Sequence, residues 1–220
     1  MRQSAEKLKN LREKLLRDLG KNFYELNIEM LHANQRITAT HAYSSKWYTW
    51  PLMLRPIYYW NKDLTLGTDT FYERIYLLGN PFVWWVSTIG VAYFLASRVC
   101  MLMGFMVSRL RKKSKKKKEG ESQPVSVFNQ VFLGAGYLVN LLAFIFIGRV
   151  MFLYHYFTAL IFAIMIAAVT IAKNPKPRVV LICMLIAGTV LGFFIIYPVT
   201  YGTILRNGWP SSIFWLKSWI

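Results

Sequence analysis

Residues 150–172 read VMFLYHYFTALIFAIMIAAVTIA, and residues 179–201 read VVLICMLIAGTVLGFFIIYPVTY. Neither stretch contains a Lys, Arg, Asp or Glu. Each meets the requirement of about 20 consecutive apolar residues for an α-helix to cross about 30 Å of hydrocarbon. Two more runs precede them. Residues 126–148 also lack charge, and residues 81–108 are broken only by Arg98. Together the runs predict an all-α integral membrane protein with four transmembrane helices.

The charge pattern sets the expected orientation. The 220 residues carry 27 Lys plus Arg against 10 Asp plus Glu, a net charge of +17. Hydrophobic residues make up 55% and aromatics 16%, which excludes a disordered chain and a soluble basic binder. Residues 109–118, RLRKKSKKKK, hold eight of the cations, and the turn 173–178, KNPKPR, holds three. Lys and Arg in short loops mark the cytoplasmic side. Residues 1–80 and the tail 202–220 are therefore expected outside, with Trp84, Trp85, Trp209, Trp215 and Trp219 near the outer boundary. The 109–118 block reads as a topology and anionic-lipid signal, not a nucleic-acid site. The spans hold no carboxylate, which argues against a proton relay. Two Cys and three His stand at no ligand spacing, so no metal is expected.

Three regions follow: 1–33, 34–80 and 81–220. In the first, Leu8, Leu11, Leu15, Leu19, Phe23, Leu26 and Met30 recur at spacings of three and four, predicting an amphipathic helix. Glu13/Arg17 and Lys14/Asp18 are spaced to pair along it. The first 20 residues hold no apolar signal segment. Placing residues 1–80 outside thus implies a longer protein or a split subunit. The second region is an aromatic and basic loop interrupted by Pro51 and Pro56. Such a surface suits a sugar, whose apolar ring faces stack on Trp and Tyr, and a phosphate, which meets Arg or Lys. A loop whose aromatics merely sit at the lipid headgroups has the same composition. Within the spans, Gly188 and Gly192 form a GxxxG, read first as close helix packing.

Three blocks carry a family resemblance. Residues 40–52, THAYSSKWYTWPL, resemble the "THPYSSKWYTWPL" signature of the protein O-mannosyltransferases. Residues 76–81, YLLGNP, with Trp84 and Trp85 resemble the family's "LGNPxxWW". Residues 148–156, GRVMFLYHY, resemble the start of its "R..FLYHYxPAL" helix. The order matches the family's C-terminal four-helix region, from about residue 22 to the end. Two prolines of the pattern are replaced, by Ala42 and Thr158. The first change relaxes the loop, and the second removes a helix kink.

The resemblance implies a glycosyltransferase that moves mannose from polyprenyl-phosphate-mannose to Ser or Thr of exported proteins, with no cofactor beyond the lipid-linked donor. Partners implied are membrane lipids, the donor, an exported acceptor protein and an N-terminal catalytic portion or partner membrane subunit. The family's acidic pair is not in this chain; Asp63, Asp69 and Glu73 fall in no matched motif. Arg149, Lys46, Arg55 and His155 are the candidate donor-phosphate residues. His41, Tyr43, Ser44, Ser45, Trp47, Tyr48, Trp50 and Tyr156 are the candidate sugar or acceptor residues. On a continuous helix Arg149 and Tyr156, seven apart, would share a face. A bacterial plasma membrane is the expected location, with the endoplasmic reticulum as the alternative. The alternative function is a non-catalytic four-helix subunit that scaffolds a partner.

Overall fold

The computed structural model describes residues 2–110, 127–173, 178–206 and 213–219. Among them, four helices are long and apolar enough to span a membrane: Pro81–Arg109, Asn129–Phe146, Leu153–Ala172 and Arg178–Tyr201. The chain divides into two compact units. The basic block from residue 111 and most of the 173–178 turn lie outside the described residues.

One unit comprises helix α1 (Arg2–Gln35) and residues 145–150. The predicted stripe is present, and Leu15, Leu19, Phe23, Leu26 and Met30 all stand exposed on α1. Among the described residues the ion pairs of α1 are Lys21–Glu25 at 3.7 Å and, with Arg36 just beyond its end, Arg36–Glu29 at 2.9 Å. The expected pairs Glu13–Arg17 and Lys14–Asp18 do not form. Exposed pairs gain little over hydration, so spacing alone does not hold them closed.

The second unit starts at Ala42 and contains the spans. Its first surprise is a β-hairpin inside the expected loop. Strand β1 (Ile57–Leu66) pairs antiparallel with β2 (Asp69–Leu77). Gly67, at φ +62°, opens a two-residue turn between Leu66 and Asp69. A positive φ at the first turn position suits the twist of a hairpin, and glycine adopts it without strain. A bulge at Tyr59 shifts the register between Tyr58↔Tyr76 and Trp60↔Ile75.

Helix α2 (Pro81–Leu110) follows directly. Asn80 caps it: Oδ1 accepts from Phe82 N–H at 3.1 Å and Val83 N–H at 3.4 Å. Asn80 Nδ2 also donates to Thr189 O at 2.8 Å, tying the cap to helix α5 (Arg178–Tyr201). A methyl at Gly192 would lie 2.7 Å from Asn80 Oδ1, and one at Gly188 2.7 Å from the Phe82 ring. The GxxxG of α5 thus serves close packing within the chain.

Helices α3 (Val127–Leu142) and α4 (Phe157–Ala172) complete the bundle. Ala159, Ala163 and Ala167 recur every fourth residue on α4 and are buried. Their small side chains let α2 approach, with a hypothetical Gly90 Cβ only 2.7 Å from Ala167 Cβ. Helix α5 ends in a Schellman motif: Gly202 has φ +64°, and Thr203 N–H donates to Pro198 O at 3.0 Å. The chain then adds β3 (Leu205–Arg206) to the hairpin beside β2.

Two boundaries correct the sequence reading. Residues 150–152 are not helical; a 3-10 turn, Leu153–Tyr156, precedes α4. Arg149 lies in a bend, so it and Tyr156 share no helix face. Phe152 is fully extended (φ −139°, ψ 163°) and breaks the continuity. Thr158 therefore falls in the first turn of α4, where a proline would fit without a kink. Gly148 and Arg149 separate the two apolar runs in sequence, but Val150, Met151 and Phe152 gave no warning that the break extends to position 152.

Candidate functional site

The site grows from a single 3-10 turn, Trp47–Leu52. Lys46 enters extended, and its carbonyl accepts from the Thr49 amide at 2.9 Å and the Thr49 hydroxyl at 2.7 Å. Pro51 lies inside the turn, and Met53 leaves it in the left-handed region at φ 53°, ψ 44°. A non-glycine residue holds that conformation only when its surroundings over-determine it. Here they do, because Met53 is fully buried.

Four consecutive carbonyls hold this turn in place. Trp50 O accepts from Trp84 Nε1 at 2.8 Å, and Pro51 O from the Thr88 hydroxyl at 2.5 Å. Leu52 O accepts from Trp85 Nε1 at 3.0 Å, and Met53 O from Trp219 Nε1 at 2.7 Å. Donors from α2 and the tail thus satisfy a backbone that makes no regular ladder. Of the tryptophans expected at the boundary, Trp84, Trp85 and Trp219 fasten the turn, and Trp209 lies outside the described residues. Trp85 stacks on Trp219 at 6.1 Å, and Trp215 packs on Trp85 at 5.8 Å.

The turn also joins the first and third family-like blocks. Ser45 N–H donates to Met151 O at 2.8 Å. Trp50 Nε1 donates to Ser45 Oγ at 2.9 Å, and its ring stacks on His155 at 5.8 Å and 9°. His155 stacks in turn on Tyr154 at 4.4 Å. Its Nδ1 lies 3.2 Å from Phe152 N and 2.9 Å from Phe152 O, and the tautomer decides which it engages. Tyr156 is fully buried; its hydroxyl is 3.3 Å from that of Tyr137, and its ring packs on Trp84 at 5.3 Å.

A second cluster borders the hairpin. The Arg55 guanidinium lies 5.9 Å from the Tyr43 ring centre. Tyr43 packs on Tyr58 at 5.7 Å, and Tyr58 on Tyr76 at 4.8 Å. Burial pushes the Tyr58 and Tyr76 phenols above the usual tyrosine range, while Arg74 acts weakly in the opposite sense. Both phenols therefore stay neutral hydroxyls well beyond pH 7.

The candidate residues thus separate into groups. Ser45, Trp50 and His155 come together, as do Tyr43 and Arg55, and Trp47 packs edge-on against Tyr48 at 5.7 Å. Trp50 and Tyr156 are fully buried, so neither ring offers a face to a sugar. Lys46, Tyr48 and Arg55 are exposed, and Ser44 and Trp47 half-buried. Arg149 and His41 belong to the other unit. The carboxylates Asp63, Asp69 and Glu73 lie on the hairpin strands, not in a loop. Among the described residues no three His, Cys, Asp or Glu side chains gather where a metal ion could be held. The sequence reading missed Asn80, Met53 and Tyr137. Only Asn80 carried a signal, standing immediately before a proline that opens an apolar run.

A bundle of four membrane-length helices that carries a small antiparallel sheet and an aromatic, basic turn at one end defines a polytopic membrane domain. The expected all-α fold is corrected by that sheet, whose strands β1 and β2 lie in the region expected to be a loop. The sequence matches the family described as the C-terminal four TMM region of protein-O-mannosyltransferase over residues 19–219. The chain belongs to this family. Dolichyl-phosphate-mannose–protein mannosyltransferase 1 of Candida albicans is 31% identical over 67% of this chain and 15% of that protein. The Saccharomyces cerevisiae protein of the same name is 27% identical over 90% of this chain and 23% of its own length. A structure of the S. cerevisiae protein O-mannosyltransferase Pmt1–Pmt2 complex bound to the sugar donor superposes with a TM-score of 0.65. It is 26% identical and aligned over 90% of this chain and 26% of that one. The chain spans about a quarter or less of the relatives it matches.

Proposed function

We propose that this chain forms the C-terminal membrane part of a transferase that moves mannose from polyprenyl-phosphate-mannose to Ser or Thr of exported proteins. The observation that carries this reading is the joining of two sequence blocks about a hundred residues apart. The Ser45–Met151 hydrogen bond and the Trp50–His155 stack close them into one rigid surface at one end of the bundle. That surface leaves Lys46 and Arg55 exposed for an anionic lipid leaving group, and exposed Tyr48 with half-buried Tyr43 and Trp47 for a sugar or acceptor peptide. Cationic help for a departing phosphate is an electrostatic contribution that a preformed surface supplies at no reorganisation cost. Arg149, in the other unit, is a donor-phosphate candidate on the family resemblance alone, and His155 is assigned to orienting the phosphate.

Removing the proton from the acceptor hydroxyl needs a carboxylate within hydrogen-bond reach. This part is assigned to an N-terminal catalytic portion or a partner membrane subunit. The basic block 109–118 faces the cytoplasm, and residues 1–80 and the C-terminus face the opposite side. That side is the exterior of a bacterial plasma membrane or, in the alternative, the lumen of the endoplasmic reticulum. The test is transfer of labelled mannose from polyprenyl-phosphate-mannose to a Ser/Thr peptide in membranes, with this chain alone and with candidate partners. Transfer in a combination containing this chain, and none without it, is expected. No transfer and no donor binding in any combination overturns the reading. Arg149→Ala is expected to weaken donor binding about tenfold or more, the scale of a lost charge-assisted contact. Unchanged donor affinity removes Arg149 from the site.

The scaffold alternative draws on one observation. Two of the most conspicuous aromatic candidates, Trp50 and Tyr156, are consumed in internal packing.

A further inference from the structure

Arg98 is a cation inside an apolar span, and among the described residues no carboxylate pairs with it. Depth comes first. Thr88 of α2 still bonds to the outer turn through Pro51 O, whereas Arg109 opens the basic block. Arg98 lies ten residues beyond the first and eleven before the second, about 15 Å from each at the α-helical rise. That is the middle of a hydrocarbon core about 30 Å thick. An arginine stem is too short to carry its head from there to the lipid headgroups.

Its neighbours come next. The guanidinium carbon lies 5.2 Å from the Phe94 ring centre. Nε is buried and has no hydrogen-bond partner. No Asp or Glu occurs in any of the four spans; beyond Glu73 the only acidic residues are Glu119 and Glu121, in the loop. Phe94, one turn earlier, packs toward α3, where a methyl on Gly134 would lie 3.1 Å from its ring. Beyond Arg98 this cover ends. Met101, Leu102, Phe105 and Met106 are all exposed. The residue is half-buried, so the charge borders an open helix face.

A mid-membrane cation is costly and persists where a carboxylate compensates it. We infer that Arg98 is the docking point for a transmembrane helix from outside these four spans, one that presents an Asp or Glu at mid-membrane depth. The charge sets the partner's chemistry, and the bare apolar face of α2 supplies the contact area. Headgroup phosphate is excluded as the occupant by the depth. The inference specifies the partner membrane portion proposed above, but does not depend on mannose transfer; its test reads association alone.

The experiment keeps Arg98 and replaces Leu102, one turn on, with photo-reactive benzoylphenylalanine in the full protein in its native membrane. Illumination is expected to give an adduct on a transmembrane helix with an Asp or Glu within one turn of the attachment. Arg98→Leu should cut that adduct about tenfold, and Arg98→Lys should largely keep it, as expected for a charge pair in a low-dielectric setting. Exchanging the pair, with Arg98→Glu and the partner carboxylate replaced by Arg, should restore the adduct. Adducts to lipid alone, adducts to a helix without an acid, or a yield unchanged by Arg98→Leu each overturn the inference. Restoration by the exchange also shows that loss in Arg98→Leu was not misfolding.

Discussion

The N-terminal and C-terminal halves of α2, termed outer and inner after the orientation proposed above, obey different packing rules. In the outer half Trp84, Ser87, Val91 and Phe94 are buried, and Trp84, Trp85 and Thr88 donate to the turn Trp47–Leu52. From Val99 to Val107 the helix presents exposed Val, Met, Leu and Phe. Both halves are apolar in sequence, so hydrophobicity does not distinguish them. Polar donors do. Indole and hydroxyl groups in the outer half satisfy carbonyls that water would otherwise need to reach, and that fixes a geometry. The inner half offers only dispersion contacts, which lipid chains replace at little loss. Directional hydrogen bonds are concentrated where the family-like blocks meet, and the inner half is left open to lipid or another helix.

The largest break in this contrast should come from Trp84→Ala. It removes a buried ring that touches Tyr156 and Phe157 and takes from Trp50 O one of its two donors, leaving the Met53 N–H. A loss of about 3–5 kcal/mol is expected from truncating a buried aromatic. Thermal unfolding of the detergent-solubilised protein, followed by tryptophan emission, would measure it. A shift no larger than that of an exposed substitution would refute the rigid outer half.

A second substitution sharpens the comparison at the helix crossing. Gly90→Val places methyl groups where Ala167 Cβ and Cα already stand 2.7 and 2.8 Å from a hypothetical Cβ. The contact is with backbone as well as side chain, so no rotamer change relieves it. Overpacking of this kind costs about 1–3 kcal/mol. The same thermal assay should show it, and Gly90→Ala should fall between the variant and the parent.

The two halves also differ in how far the sequence disclosed them. The spans were legible because length and absence of charge suffice to define them. Family-like blocks disclosed the residues of the outer turn but not their roles. Trp50 read as a sugar platform, yet its indole is used against Ser45 and His155. Burial of a ring depends on a partner a hundred residues away, which local pattern does not contain. The hairpin had a fair signal in Leu66-Gly67-Thr68-Asp69 between aromatic and β-branched runs. Two prolines and the dense aromatics upstream drew the reading toward a loop instead. Gly148 and Arg149 marked the break between the two runs, but its extension to residue 152 had no signal, because Val150, Met151 and Phe152 fit a helix equally well. Ala159, Ala163 and Ala167 were visible as small residues at fourfold spacing, but which helix they meet was not.

The smallest effect belongs to the inner half. Leu102→Ala removes a side chain that is 62% exposed, in a stretch where its neighbours are equally uncovered. For the chain by itself the expected change in stability is within about 0.5 kcal/mol, as for other surface substitutions. Within the whole protein in its native membrane the outcome should differ. If a second helix docks beside Arg98, Leu102 lies one turn along the same face and becomes an interface residue. Truncation should then lower the assembled fraction while leaving the isolated chain untouched. Comparing the two preparations by thermal unfolding and by co-purification separates a lipid-facing residue from a partner-facing one. An equal and negligible effect in both would assign the inner half of α2 to lipid and leave Arg98 without the apolar contact a docked helix requires.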